Sequence, residues 1–512
     1  MPVKRISPSI RIASWLLAAA LVGGIIALCL SPVHRALADS IGPADEGARQ
    51  AVADEGAAQA VSGKTSEAKP VVAEPPADEM TMFRGNMERN LTGAGKVPRK
   101  PKLLWRFRTR TKFEGASERR GKKDLLPTAT WTGLGWTGQP CFIDGNLYYG
   151  SADSYVYAHD AKTGKLHWYY PNHHCIKGSI TVADGFIYHG GRDNKIHCYT
   201  LAGKMVWETR TGNDMDSNPA VIGNRGFIGG EDNYLYCFSP QSGEILWRFG
   251  PTDGSIESSP CVVNNRVYAG SGHGYLYCVE AGTGKLIWKF KTLGDTDSSP
   301  VFYGGCIFVA NATGDSAETG HVWCLSAKDG TVLWHKATPR GVWATVALNS
   351  KLKRVYVGCN DGVLYALQMG NGKELWQKKL GNRIWGSPVV ADGCILVPTR
   401  DGRLWCLDEK AGKPIWAFDD GFDIDATPCV AGGMVFIGSQ NGWVYAIGNA
   451  GAGENVNSHW FATSFPIKRR PDHNASGIKT IANSAPAPKE WGDTSANCRT
   501  GIYKPVFGPG AK

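Results

Sequence analysis

The sequence predicts an all-β fold, an eight-bladed β-propeller of four-stranded antiparallel sheets whose ring is closed by an N-terminal strand. Three observations predict it. Trp recurs about every forty residues, at Trp105, Trp168, Trp207, Trp247, Trp288, Trp334, Trp376 and Trp416, and internal repeats of that period mark solenoids, propellers or arrays. Gly occupies the last turn of seven repeats, at Gly164, Gly203, Gly243, Gly284, Gly330, Gly372 and Gly412, as expected of turns that need positive φ. Each repeat holds four short runs of strand-forming residues, and four-stranded sheets repeated radially cover one another's faces in a propeller.

Residues 258–290 show the unit: Cys261 to Val263, a turn at Asn264-Asn265, Arg266 to Gly270, a turn at Ser271 to Gly274, Tyr275 to Val279, the Thr283-Gly284-Lys285 turn, and Leu286 to Phe290. Such hairpin-linked runs read as strands. First strands fall near Pro140, Ile180, Pro219, Pro260, Pro300, Val346, Pro388 and Pro428, which counts eight blades. The interval from a third-strand aromatic to the Trp is eleven residues from Tyr157, Tyr236, Tyr277, Trp323, Tyr365 and Trp405, and ten from His197. After Tyr445 the next Trp is Trp460, fifteen residues on, whereas Leu103 to Phe107 is an orphan fourth strand at the other end. The N-terminal strand is therefore expected to complete the last blade, with residues 458–462 as the alternative.

The flanks differ in kind. Lys4, Arg5 and Arg11 precede an apolar run from Ile12 to Leu30 and an Ala36-Leu37-Ala38 cleavage pattern, so residues 1–38 read as a signal peptide or an uncleaved membrane anchor. Either places the remainder outside the cytoplasm, in the periplasm or cell envelope. Residues 39–80, with a nine-residue duplication at 44–52 and 53–61, are an Ala/Glu/Pro linker whose composition cannot offset chain entropy. Residues 81–101 form a lead-in, 102–447 the propeller, and 448–512 a C-terminal extension whose aromatics, Trp460, Phe461, Phe465, Trp491, Tyr503 and Phe507, point to partial packing.

Gly 64, Trp 18 and Tyr 18 against Met 8 describe turns and aromatic strands rather than helices. The formal charge of +10 falls to +6 on losing residues 1–38, which carry four basic residues and no acidic one. Arg106 to Lys123 holds eight basic side chains without stacking aromatics, which argues for a solvated loop and against nucleic acid. Of the 14 cysteines, Cys198, Cys237, Cys278, Cys324 and Cys406 share a repeat slot that Ala158, Ala366 and Ala446 fill elsewhere, so they read as buried packing residues rather than disulfides. His173-His174-Cys175 has metal-ligand residue types, but consecutive side chains seldom converge on one ion. Nucleophile-elbow, zinc-protease and P-loop motifs are absent.

Ala158-His-Asp160-Ala-Lys-Thr163-Gly164-Lys165-Leu-His-Trp168 matches the A-x-D-x-x-T-G-K-x-x-W repeat of the pyrroloquinoline quinone (PQQ)-like propellers position for position. Cys406 to Trp416 and Val279 to Trp288 repeat it with small departures, and Phe83-Arg84-Gly85-Asn86 resembles the family's short lead-in. The resemblance covers about 102–447 and implies that the eight repeat tryptophans dock blade on blade, a role that burial of an indole supports independently. The quinoprotein dehydrogenase branch of the family holds PQQ with calcium or a lanthanide above the channel and uses an Asp as base. Another branch resembles the outer-membrane assembly scaffold, which binds partner proteins without a cofactor.

The loops entering the innermost strands should cluster around the channel. Three residues before each first-strand Pro or its equivalent stand Thr137, Lys177, Asp216, Glu257, Asp297, Trp343, Trp385 and Asp425. Such a ring could bind a hard cation through oxygen, or hold a planar ring over Trp343 and Trp385 with Lys177 as counter-charge. The loop Asn311 to Gly320, with Asp315 and Glu318, should overhang the same face; a solvated rim without ligand is the simpler reading. No adjacent Cys-Cys pair and no Cys-x-x-Cys-His occurs, so covalent haem as an electron outlet is excluded. The expectation is a noncatalytic scaffold without cofactor that binds an envelope protein partner or a ligand, with membrane association possible through the N-terminus. The alternative is a PQQ-dependent dehydrogenase with Asp297 or Asp425 as base and Glu257 as metal ligand.

Overall fold

The short aromatic runs and Gly turns fold as their period requires. The computed structural model describes residues 78–91, 93–109, 138–172, 174–313 and 318–450, together with two short strands at Thr480–Ile481 and Val506–Phe507. Eight sheets follow in chain order, seven of them on four consecutive hairpin-linked antiparallel strands and the eighth on three. Blade 1 contains Cys141–Ile143, Asn146–Gly150, Tyr155–Asp160 and Leu166–Pro171. Blade 8 contains Cys429–Ala431, Met434–Gly438 and Trp443–Asn449, and its fourth strand is Pro101–Arg108. That strand pairs antiparallel with Trp443–Asn449, placing Lys102 opposite Gly448 and Phe107 opposite Val444. The ring closes through the N-terminal strand, as the orphan Leu103 to Phe107 run requires; residues 458–462 lie outside the described residues.

Two blades exceed the predicted four strands. Thr480–Ile481 adds to blade 7 in parallel, with Ala417 opposite Thr480, and Val506–Phe507 adds to blade 1, with Val506 opposite Tyr169. An outer edge leaves a row of backbone N–H and C=O groups open to pairing, and the C-terminal extension uses two of these edges. Asn311 to Gly320, expected as an overhanging loop, instead prolongs a hairpin: Thr313 lies opposite Thr319, and Asp295 bridges to Ala312. A two-stranded extension satisfies backbone groups that a long loop would leave to water.

Each repeat Trp seats on the turn of the blade that follows. A Cβ added at Gly164, Gly203, Gly243, Gly284, Gly330, Gly372 or Gly412 would lie 2.5–2.8 Å from the indole of Trp105, Trp168, Trp207, Trp247, Trp288, Trp334 or Trp376, respectively. These glycines all have positive φ, so the turn and the close approach ask for the same residue. Seven indoles also donate their N–H across the interface, to the carbonyls of Ala161, Leu201, Pro240, Ala281, Ala327, Met369 and, for Trp416, Pro98. Trp376 is the exception: its indole N–H has no partner among the described residues.

Two further devices fasten the ring at the channel. The residue before each first-strand Pro or its equivalent forms a belt: the backbone N–H groups of Gln139, Ser179, Asn218, Ser259, Ser299, Thr345 and Ser387 each donate to the side-chain oxygen of the corresponding residue in the next blade, ending at Thr427. Thr427 N–H closes the circle on the Gly138 carbonyl. The lead-in then threads the channel itself. Met80, Thr81, Met87, Glu88 and Ala94 make backbone hydrogen bonds to Phe142, Val182, Val262, Phe302 and Val430 of the first strands. Arg84 and Arg89, both fully buried, donate to the carbonyls of Val346 and Pro388, and of Phe83, Asn218, Pro219 and Pro260, respectively. Charged donors on carbonyls make strong hydrogen bonds, and here they gather the first strands of several blades.

The five cysteines of the shared slot, Cys198, Cys237, Cys278, Cys324 and Cys406, are buried and free. Cys175 is buried, whereas His173 lies outside the described residues. Outside them too are residues 1–77, Thr137, Asp315, basic positions 110–123, and the aromatics of 451–512 apart from the strand backbone at Phe507. Among the described residues no helix is long and apolar enough to cross a membrane.

Candidate functional site at the channel mouth

The belt fixes the height of the residues two positions upstream of it, which are the predicted mouth residues. Among Lys177, Asp216, Glu257 and Asp297, from blades 2 to 5, the first three are in direct contact. Lys177 Nζ lies 2.7 Å from Asp216 Oδ2 and 3.2 Å from Glu257 Oε2. Arg192, from the turn between the second and third strands of blade 2, donates to Asp216 from Nε at 3.0 Å and from Nη2, and its Nη2 reaches Glu231 at 3.3 Å. Burial opposes the charge on Asp216, but Lys177 and Arg192 outweigh it and hold the carboxyl well below its usual range. The same exchange, with Asp216 and Glu257 outweighing burial, pushes Lys177 up.

The remaining carboxyls are pushed toward their neutral, protonated forms. Glu231 is pushed up to about 8 by burial and by Asp216, and Asp297 is raised well above its ordinary value by burial, Glu257 and Asp295. Oxygen atoms of Asp216, Glu231 and Glu257 lie within 4.8 Å of one another, the geometry of a cation cluster. The cation there is the chain's own: Lys177 contacts two of these carboxylates and Arg192 contacts two, sharing Asp216. A divalent ion would have to displace two charge-assisted donors, so this trio does not fit a resident calcium or lanthanide.

Across the mouth, Trp343 and Trp385 meet edge to face, with ring centroids 4.7 Å apart and planes at 62°. The Arg400 guanidinium covers Trp385 at 3.6 Å from the centroid, approaches Asp423 at 2.9 Å and Asp425 at 3.1 Å, and Gln440 donates to Asp425. Burial pushes Asp425 up to about 7 despite Arg400. Lys177 is engaged by Asp216 and Glu257, and of the two edge-to-face indoles Trp385 carries Arg400 on its ring.

Sequence reasoning missed Arg192, Glu231 and Arg400. Its signal was positional: Gly191-Arg192-Asp193 and Thr399-Arg400-Asp401 occupy the same turn of blades 2 and 7, and each Arg reaches the mouth Asp of the next blade, Asp216 or Asp425. The arrangement can hold charge and present aromatic edges.

This closed ring and its Trp-on-Gly seating define an eight-bladed repeat β-propeller. A family model described as outer membrane protein assembly factor BamB matches residues 97–222, 152–252 and 231–448, and the chain belongs to that family of PQQ-like repeat propellers. Quinoprotein alcohol dehydrogenase PedH of Pseudomonas putida is 23% identical over 300 residues, 51% of this chain and 50% of PedH; the chain thus spans about half of that relative's length. BamB of Moraxella catarrhalis superposes with TM-score 0.55 at 15% identity, covering 68% of this chain and 99% of BamB. Quinohemoprotein alcohol dehydrogenase of Comamonas testosteroni gives TM-score 0.60 at 14% identity, covering 75% of this chain and 83% of the enzyme. At these identities the structural likenesses establish the fold alone.

Proposed function

We propose that the chain is a noncatalytic envelope propeller that binds a protein partner, or a ligand, at the mouth formed by Lys177, Asp216, Glu257, Asp297, Trp343, Trp385 and Asp425, without a cofactor. The observation that carries this reading is the internal neutralisation of Asp216 and Glu257 by Lys177 at 2.7 and 3.2 Å, at the place where a metal-dependent enzyme would need open oxygen ligands. The family description as an assembly factor supports a partner-binding role and an envelope location, with the N-terminal segment as route of export or membrane attachment. Crosslinking in intact envelopes should trap one recurrent protein; a clean blank in well-expressed material would count against the scaffold.

One observation favours a second reading, that of a PQQ-dependent dehydrogenase. Asp425, raised to about 7, titrates in the range that suits a general base, Asp297 is raised by burial as well, and PedH is a relative. Adding PQQ with calcium or a lanthanide separates the two. Binding to the folded state must raise the melting temperature, by ~2.7 kcal/mol of stability at a hundredfold excess over Kd. No shift and no dye-linked alcohol oxidation would remove the enzyme.

A further inference from the structure

The second strand of every blade opens on one repeat slot, filled by Asn146, Phe186, Arg225, Arg266, Cys306, Arg354, Cys394 and Met434 in turn. A third-strand slot is filled by Ala158, Cys198, Cys237, Cys278, Cys324, Ala366, Cys406 and Ala446. Cysteine enters the first slot in blades 5 and 7 alone, and in both blades the second slot is cysteine as well. Strand register makes the two slots neighbours. Cys306 lies opposite Ser326 and Phe308 opposite Cys324 in blade 5; Cys394 lies opposite Asp408 and Leu396 opposite Cys406 in blade 7. Each cysteine pair is therefore a cross-strand diagonal on one sheet face, where side chains meet.

In both pairs the thiols are near enough for one to shift the other's protonation. In blade 7 that proximity raises Cys406 and lowers Cys394, and Arg99 Nη1 also donates to Cys394 Sγ at 2.8 Å. In blade 5, burial and then Cys306 raise Cys324. Cys306 is partly exposed, whereas Cys394 and Cys406 are buried. Cys198, Cys237 and Cys278 have Phe186, Arg225 and Arg266 at the diagonal position instead.

We propose that Cys306 with Cys324, and Cys394 with Cys406, are two oxidisable dithiols, each closing to an intrablade disulfide by exchange with a small disulfide oxidant. In blade 5 the accessible Cys306, as thiolate, attacks one sulfur of the oxidant and expels its other half as a thiolate. Cys324 gives its proton to that leaving thiolate, attacks the Cys306 sulfur, and expels the second half, which takes the proton Cys306 had lost. One S–S bond breaks and one forms, and two electrons pass from the protein to the oxidant. Blade 7 follows the same course with Cys394 as attacker once Arg99 moves aside. The bonds tie the second and third strands of the blades that carry Asp297 and Trp385.

The test uses the full chain, reduced, then equilibrated over a series of reduced-to-oxidised glutathione ratios, acid-quenched, unfolded, alkylated and digested. Cleavage at Asp315 or Glu318 separates the blade 5 cysteines, and cleavage at Arg400 or Arg403 separates those of blade 7. The expected result is a linked peptide and the loss of two alkylatable thiols for each pair, with blade 5 closing before blade 7, while Cys198, Cys237 and Cys278 stay singly alkylated. Cys324→Ala, which installs the residue that three other blades use in this slot, should trap Cys306 as its glutathione adduct. Independent alkylation of both partners at every ratio in the wild-type chain, or bridges to other cysteines, would overturn the proposal.

Discussion

A methyl group on Gly243 would stand 2.5 Å from Cε3 of Trp207, so the seating of blade 2 on blade 3 depends on the absence of one carbon. Gly145 has the same φ of +74°, with nothing within 4 Å of its added Cβ. The two positions separate backbone strain from blade docking. Gly145→Ala should cost about 1–2 kcal/mol, the penalty of a left-handed non-glycine residue. Gly243→Ala should cost clearly more, because the indole must shift too. Urea midpoints at constant m measure the difference; equal losses would deny that the turn is a docking surface.

The indole N–H groups offer a second comparison. Trp334 donates to the Met369 carbonyl at 2.8 Å, whereas the buried Trp376 N–H has no partner among the described residues. The corresponding carbonyl in blade 7, that of Glu409, accepts instead from Arg354 and the Tyr356 hydroxyl. Trp334→Phe loses a hydrogen bond as well as area, so it should destabilise by roughly 0.5–1.5 kcal/mol more than Trp376→Phe. Equilibrium unfolding of the two variants checks the order.

These contrasts show where the sequence was legible. The Trp and Gly period is dictated by packing that every blade repeats, so the eightfold ring and its closure by Leu103 to Phe107 could be counted from residues alone. The mouth positions were legible by the same register. Their partners were not, because Arg192 and Arg400 reach across to a neighbouring blade and their shared slot holds Arg in blades 2 and 7 only. The lead-in was legible as a segment but its seat was not: Arg84 and Arg89 bind backbone carbonyls, which carry no sequence signature. The belt before the first-strand prolines had a signal that went unread, a Ser, Thr, Asn or Gln in all eight repeats.

That belt gives a third expectation. Ser387 Oγ accepts the buried Thr345 N–H at 3.0 Å. Ser387→Ala leaves that N–H unsatisfied, which should cost about 1–3 kcal/mol, although the side chain loses only one atom. A substitution that cost nothing would mean that the circle of hydrogen bonds does not hold the channel.

Lys177 tests the charge cluster. Lys177→Met removes the cation shared by Asp216 and Glu257, and breaking a buried pair from one side costs about 3–5 kcal/mol. Added calcium should restore part of this loss, because Asp216, Glu231 and Glu257 then offer oxygen atoms to an incoming cation. The wild-type melting temperature should not respond to calcium. A calcium response in the wild type would show instead that Lys177 yields its place readily, and would revive the metal-dependent reading of the mouth.

Asp425 makes stability depend on pH with a definite sign. Its carboxyl is buried and faces Arg400, Asp423 and Gln440. Burial raises it to about 7 in the fold, against about 3.9 in an unfolded chain. The folded state holds the proton more tightly, so the contribution of Asp425 is complete below the unfolded value and is lost as pH rises through about 7. Asp420, raised to about 6, and Glu231, raised to about 8, act in the same direction. The wild type should therefore lose stability between about pH 4 and pH 8 through these three groups. Asp425→Asn removes one of them: near the acid end it should match the wild type, and near the alkaline end it should exceed it, because no charge is then buried. Urea midpoints across the range would show the two curves separating as pH rises. Parallel curves would mean that Arg400 fully compensates the ionised carboxylate, and that Asp425 is an ordinary ion-pair partner rather than a proton-holding group.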